Sequence, residues 1–306
     1  MHLAEGVLPF GQAMAWTALA APAVVWSLRG ERQAQTSPSS SLVMAGAMSL
    51  LFAGTLLPLP VPVVGATSHI CLTPVLGLIV GVRRIIWPTF FVLLLQAVFF
   101  AHGGLTTLGI NTLTLGLLGP VTAAALWALF RELGMNRALA LGLACALGDL
   151  AVYVGDAVVL AVALADVTAP MTTFTAVLLG FAPVQVPLAV LEAVASIGIV
   201  RLLAERRPDL LPAALREVRN LPVRGASAIV LLLGVGLSGC RYEGIDGTVF
   251  GATAEKGGLP PTQSLIDLSQ GEVGLAMSIV ILFALGFVAG RSWERLLGAG
   301  RDALPR

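Results

Sequence analysis

The sequence predicts an all-α polytopic membrane protein, and three observations carry that prediction. Hydrophobic residues make up 57% of the 306 positions and charged residues only 11%. A soluble chain of this length could not bury that much apolar surface. The apolar residues fall in long runs separated by short charged or Gly/Pro-rich breaks, the pattern of repeated membrane helices. The arginines cluster in every second break, which sets an orientation as well as a count.

Taken in order, the apolar runs place helices near 12–28, 42–58, 70–82, 85–101, 110–130, 138–164, 172–204, 226–239 and 273–290. The first two are bounded by Arg29/Arg32 and by the Ser37–Ser41 tract. The third is short of the roughly 20 residues a full span needs, so it is expected to be tilted, re-entrant or packed inside the bundle. Arg83 and Arg84 separate it from the fourth, and Arg131 and Arg137 separate the fifth from the sixth. Pro88, Pro120, Pro183 and Pro187 are expected to kink helices or mark their ends. The charged stretch 205–225 reads as a linker, and an acidic, Gly-rich loop, 240–272, separates the last two runs. Arginines beside helix ends are expected on the cytoplasmic side, which puts the N-terminus outside and the C-terminus inside a plasma membrane.

Composition excludes several classes. A formal net charge of +1 with no basic cluster gives nothing for nucleic acid to bind. Cys71, Cys145 and Cys240 are too scattered for a disulfide framework or a paired-cysteine metal site. The chain holds no phosphate-binding glycine loop, so any ATP hydrolysis must come from partner subunits. Without an HExxH motif or a carboxylate base beside any histidine, an intramembrane metal-dependent hydrolase or protease is the alternative reading rather than the leading one. A sensor whose histidines respond to pH is a third.

The three histidines, His2, His69 and His102, are all expected at the outer face. The first ten residues lack a positive n-region, so the N-terminus is expected to be retained, with Met1 in place. A free α-amine, the amide nitrogen of residue 2 and the His2 Nδ1 would close two fused chelate rings on one ion. Such a set suits Ni(II), Cu(II) and in some settings Co(II), and His69 could complete a square of nitrogens. Each histidine also has a plainer reading: His2 as an exposed terminal residue, His69 as an N-terminal helix residue capped by Thr67 or Ser68, and His102 as a solvated loop residue at a helix C-terminus. Gln96 and Asn111 could orient His69 or His102. Asp149, Asp156 and Glu192 fall within apolar spans, as a metal relay or as structural partners of Gln96, Asn111, Tyr153 or backbone donors.

At these same residues the chain resembles a known family. Met1-His2-Leu3-Ala4-Glu5-Gly6-Val7-Leu8-Pro9, Gly65-Ala66-Thr67-Ser68-His69, Gln96-Ala97, Ala101-His102-Gly103-Gly104 through Asn111-Thr112, Gly148-Asp149 with Tyr153, and Pro187-Leu188-Ala189 with Glu192 are similar to the CbiM/NikM family. These are the substrate-binding membrane components of cobalt and nickel energy-coupling-factor (ECF) transporters, and the resemblance spans roughly residues 1–204. It implies a bundle of about seven helices like other ECF S-components, no enzymatic activity, Ni(II) or Co(II) as transported substrate, and metal ligation by Met1, His2 and His69. It also implies partners, a coupling membrane subunit and ATPase subunits, with lipid around the spans. Gln185 departs from the histidine expected before the Pro-Leu-Ala run. Residues 226–306 are similar to the small auxiliary component, CbiN/NikN, which would add two C-terminal transmembrane helices as a fused module.

Overall fold

The computed structural model describes residue 3 and residues 5–34, 38–56, 59–61, 66–100 and 102–220. Met1, His2 and the predicted spans 226–239 and 273–290 with their loop lie outside the described residues. What is described is helical apart from one small hairpin. α1 runs Phe10–Ala34 and α2 Pro38–Leu56; β1 (Leu59–Val61) and β2 (Ala66–Ser68) pair antiparallel. α3 (Thr73–Val80) and α4 (Val82–Phe100) follow, separated by Gly81 alone. Gly81 sits at φ 99°, a conformation only glycine adopts freely, and its N–H returns to the Gly77 carbonyl at 3.0 Å. α5 (Leu108–Leu113), a π turn (Thr114–Leu118) and α6 (Gly119–Glu132) form one continuous rod, followed by α7 (Arg137–Ala163) and α8 (Pro170–Arg206).

These elements agree with the seven apolar runs read upstream of residue 205, with three differences. The fifth run is not uniform α-helix. Its π turn lies just before Pro120, whose ring and missing N–H disturb the helical ladder there. The hairpin was not signalled, because three-residue strands carry too little alternation to read. The charged stretch after α8 is no bare linker. Pro208–Leu210, α9 (Ala213–Arg216) and Glu217–Asn220 form short helical turns that bury Leu210, Leu211, Leu215 and Val218.

Among the described residues, four helices are long and apolar enough to cross a membrane: Val82–Phe100, the rod Leu108–Glu132, Arg137–Ala163 and Pro170–Arg206. Their outer faces are apolar. On α7, Leu139, Leu143 and Leu147, then Val154, Val158 and Val162, are exposed at helical spacing, while Asp149, Tyr153 and Asp156 point inward. That inversion suits a hydrocarbon surround. α3 is the central element, with seven of its eight residues buried. Eight residues rise only about 12 Å, so α3 cannot span a bilayer core of about 30 Å by itself. The non-helical stretch before it, Ser68–Leu72, is largely buried as well.

Close packing elsewhere depends on small residues. A Cβ on Gly109 would lie 2.5 Å from the Thr17 Cα, so α1 and α5 meet backbone to backbone. At one end of the bundle, Arg84 bonds Glu31 (2.8 Å) and Ser40 (2.9 Å), and its carbonyl accepts from the Ser27 hydroxyl at 3.2 Å. Arg83 donates to the Trp26 carbonyl at 3.1 Å and lies over the Trp26 ring. The arginines that alternate along the sequence are thus held at helix ends, as the α1, α4, α6 and α7 boundaries require.

The N-terminal segment is bound into the opposite end. Leu3 is 3% exposed and packs with Ile110, Val159 and Leu160. Its N–H donates to the Asn111 Oδ1 at 2.7 Å, and its carbonyl accepts from the Asn111 Nδ2 at 2.9 Å and the Thr107 hydroxyl at 2.8 Å. The Glu5 carboxylate accepts from the Thr106 N–H (3.1 Å) and hydroxyl (2.6 Å). Asn111→Ala strands buried backbone groups of Leu3, at a cost of about 1–3 kcal/mol. Its expected outcome is a lower thermal midpoint in detergent and faster amide exchange at Leu3; exchange as slow as in the wild type would show that the Asn111 clamp is not what holds the segment.

Candidate metal-capture site

The site is built on the stretch between β2 and α3. His69 stands there, 2% exposed, with its ring 5.8 Å from that of His102 at an interplanar angle of 67°. His102 follows α4 by one residue, and its N–H is tied to the Gln96 carbonyl at 3.2 Å. Its Nε2 lies 2.9 Å from the Thr55 carbonyl at the end of α2. A carbonyl only accepts, so Nε2 carries the proton there, and in the neutral ring Nδ1 keeps the lone pair. Burial pushes the His102 imidazole below the usual histidine range, partly offset by that carbonyl.

The plainer readings of both histidines are corrected by this geometry. His69 is not a helix-capped residue: α3 begins at Thr73, its N-cap is Leu72, and no side chain caps it. The Ser68 hydroxyl donates instead to the Gln185 Oε1 at 2.8 Å. His102 is not a solvated loop residue, since it is half-buried against His69 and α2.

Gln96 and Asn111 take different places. Gln96 Nε2 donates to the Thr55 hydroxyl at 2.7 Å and the Phe52 carbonyl at 3.3 Å, so it steadies the turn of α2 whose carbonyl meets His102. Asn111 makes its described bonds to Leu3 and Thr107 rather than to either histidine. It orients the N-terminal segment. Met1 and His2, the other expected ligands, lie outside the described residues. Among the described residues no three His, Cys, Asp or Glu side chains gather closely enough to hold a metal ion.

The buried carboxylates resolve into three situations. Glu192, 0% exposed on α8, accepts the Cys71 N–H at 3.1 Å and the Leu72 N–H at 2.6 Å. It therefore caps the entry to α3, where the helix dipole favours an anion. Leu72 has φ 56°, the only positive φ at a non-glycine among the described residues, a conformation that costs about 1–2 kcal/mol. Asp149 accepts from the Gln185 Nε2 at 2.8 Å, so Gln185 joins Asp149 on α7 to Ser68 beside His69. A histidine at position 185 could bridge the same two groups only through its two ring nitrogens; the glutamine does so with an acceptor toward Ser68 and a donor toward Asp149. Asp156 is fully buried, and neither of its oxygens has a hydrogen-bond partner in ordinary geometry. The nearby Thr114 hydroxyl turns to the Asn111 carbonyl, at 3.5 Å. Tyr153 is no partner of these acids: its hydroxyl donates to the Val177 carbonyl at 3.0 Å and to that of Leu178, fastening α7 to α8.

Sequence reasoning put His69 and His102 at one face, gave Ser68 a capping role that it does not take, and missed Thr55 and Leu72. Ser68 and Thr55 act through contacts between residues far apart in sequence. A leucine in left-handed conformation carries no sequence signal at all.

Comparison with known proteins identifies the family and the fold. The family CbiM, described as the cobalt uptake substrate-specific transmembrane region, matches residues 2–210. The cobalt transport protein CbiM of Geobacter sulfurreducens is 32% identical over 315 residues, covering 98% of this chain and 91% of that protein. The cobalt transport protein CbiM of Sorangium cellulosum is 40% identical over 232 residues, covering 74% of this chain and 100% of that protein. Among solved structures, a truncated transition metal transporter is similar with a TM-score of 0.60 at 20% identity, covering 67% of this chain and 99% of that one. A second transition metal transporter gives 0.60 at 18% identity, covering 69% and 96%. At those identities the likeness is one of fold. With a family match over residues 2–210 and relatives aligned across most of their own length, the chain belongs to the CbiM family of cobalt-uptake transmembrane components.

Proposed function

We propose that this chain is the substrate-specific membrane component of an ECF importer that captures Co(II) or Ni(II) at the outer face. The ion is held by the α-amine of Met1, the amide nitrogen and Nδ1 of His2, and the imidazole of His69, with His102 beside them. The observation that carries this reading is the docking of the N-terminal segment. Leu3 is gripped through both its backbone groups, so the segment that follows His2 is fastened to the bundle at Leu3. Two imidazoles are too few donors for a transition-metal site, and a chelating terminus supplies the rest. The names of the relatives favour cobalt over nickel.

Release inward takes energy this chain cannot supply, so ATP is hydrolysed by partner ATPase subunits acting through a coupling membrane subunit. The role is transport, not catalysis. The orientation has the histidine end outside and the Arg29, Arg83, Arg84, Arg131 and Arg201 ends in the cytoplasm; the positive-inside rule supports it. Residues 1–204 form the metal-binding domain, 205–225 the cytoplasmic connection and 226–306 an auxiliary module. A relative whose whole length aligns with 74% of this chain, beside another that aligns with 98% of it, supports a separable tail.

Three outcomes follow from the site. A residue added before Met1 removes the α-amine from its five-membered ring, so tight cobalt and nickel binding is lost while membrane insertion persists. Titration of the purified variant decides this, and unchanged affinity eliminates the terminal chelate. His69→Ala loses affinity at least tenfold more than His102→Ala, because His69 supplies the fourth nitrogen; equal losses in the same titration make His102 a ligand of equal rank. Truncation after Arg224 leaves equilibrium affinity within about twofold yet sharply lowers uptake in cells that carry the partner subunits. Full uptake by the truncated chain shows the tail to be dispensable, and loss of affinity shows it to complete the site.

A further inference from the structure

α8 holds the His69 stretch at both ends. One residue before His69, the Ser68 hydroxyl is bonded to Gln185; two and three residues after it, the Cys71 and Leu72 N–H groups are bonded to Glu192. Gln185 and Glu192 are seven apart, two turns on one face of α8, and 1% and 0% exposed. Neither grip is free to rotate. The Gln185 amide is fixed by its second bond to Asp149, and the Glu192 carboxylate uses both oxygens on adjacent amides. Between them, Leu72 is kept in left-handed conformation at φ 56°. A leucine there relaxes toward negative φ when its N–H is let go, and turning that peptide swings the chain three residues upstream.

We propose that Glu192 and Gln185 are positioning residues for the metal ligand His69, with Glu192 holding the strained Leu72 peptide that sets the imidazole in place. The inference rests on the reading of His69 as a ligand. Neither side chain touches the metal. Glu192 acts through the Cys71 and Leu72 amides, and Gln185 through Ser68. α8 also carries Pro183 and Pro187, which remove backbone donors from its ladder near the Gln185 grip. A shift of α8 that draws Glu192 away from α3 therefore loosens His69 and releases the ion, giving the partner subunits a lever on the site.

The test uses the purified full chain with Co(II) as probe, read by affinity, by the visible absorption of bound Co(II) and by the metal-free thermal midpoint. Glu192→Gln is expected to bind about tenfold more weakly, or ~1.4 kcal/mol, with a shifted cobalt spectrum. Ser68→Ala, which frees only the Gln185 grip, moves affinity the same way by about threefold. Leu72→Gly added to Glu192→Gln restores part of both, because glycine removes the strain that drives that peptide out of the left-handed region. A structural role would lower the thermal midpoint without any spectral rescue by glycine, and that result overturns the proposal. So does wild-type affinity and spectrum in both Glu192→Gln and Ser68→Ala. His69→Ala is the control: if it binds like the wild type, the ligand assignment itself fails; if it loses the metal while the Glu192 and Ser68 variants do not, only the positioning role fails.

Discussion

Non-helical backbone inside an apolar bundle must find partners for its amides, and this fold depends on meeting that demand between Ser68 and Leu72. A helix satisfies its own N–H groups; an extended stretch does not, and in hydrocarbon no water is present to do it. Here the partner is a carboxylate from another helix. Glu192 takes two consecutive amides at the mouth of α3, and the cost of burying its charge is offset by those charge-assisted bonds and by the helix dipole it faces. Removing the acid would strand two donors; removing the stretch would leave α3 without its entry. The arrangement is why an eight-residue helix can sit at the centre of the bundle with seven residues buried.

The N-terminal segment shows a second solution to the same problem. The N-terminal segment, also non-helical at Leu3, is received by Asn111, whose amide offers an acceptor to the Leu3 N–H and a donor to its carbonyl. Thr107 and the Glu5–Thr106 pair extend that seam. Gly104 makes room for it, since a Cβ there would lie 2.6 Å from the Glu5 Cα. Two irregular segments, each held by a polar side chain of a neighbouring helix, frame one end of the fold. The helices supply the precision, and the loops supply the donors.

Much of this was legible in the sequence. Apolar runs and arginine breaks placed α1 through α8 because hydrophobic length and charge spacing are local signals. The histidine pair was legible in outline, since helix order put residues 69 and 102 at one end, and the rings do meet there. The grip on His69 was not. Gln185 and Glu192 lie 117 and 121 residues from the groups they hold, and such contacts leave no periodicity to read. Gln185 was noticed only as a departure from its family, whereas its two bonds give it a place of its own. The turns after α8 were read as linker because their charges outnumber the few leucines that pack.

The charges inside the bundle are distributed unevenly, and the imbalance suits a cation carrier. Every ion pair among the described residues engages an arginine near a helix end: Arg84 with Glu31, Arg137 with Glu217, Arg201 with Glu205 and Arg207 with Asp209. None reaches Asp149, Asp156 or Glu192, all fully buried. Glu192 is answered by amides and Asp149 by the Gln185 amide, so two of the three acids are neutralised by dipoles rather than by charge. Dipoles satisfy lone pairs without bringing a positive charge into the bundle. The interior acids are thus held in place without arginine counter-charges among the described residues. Placing a lysine or arginine near them would satisfy the acids more directly, but it would oppose the ion. Glu192 and Asp149 thus meet their desolvation with amide donors, which do not work against a cationic substrate.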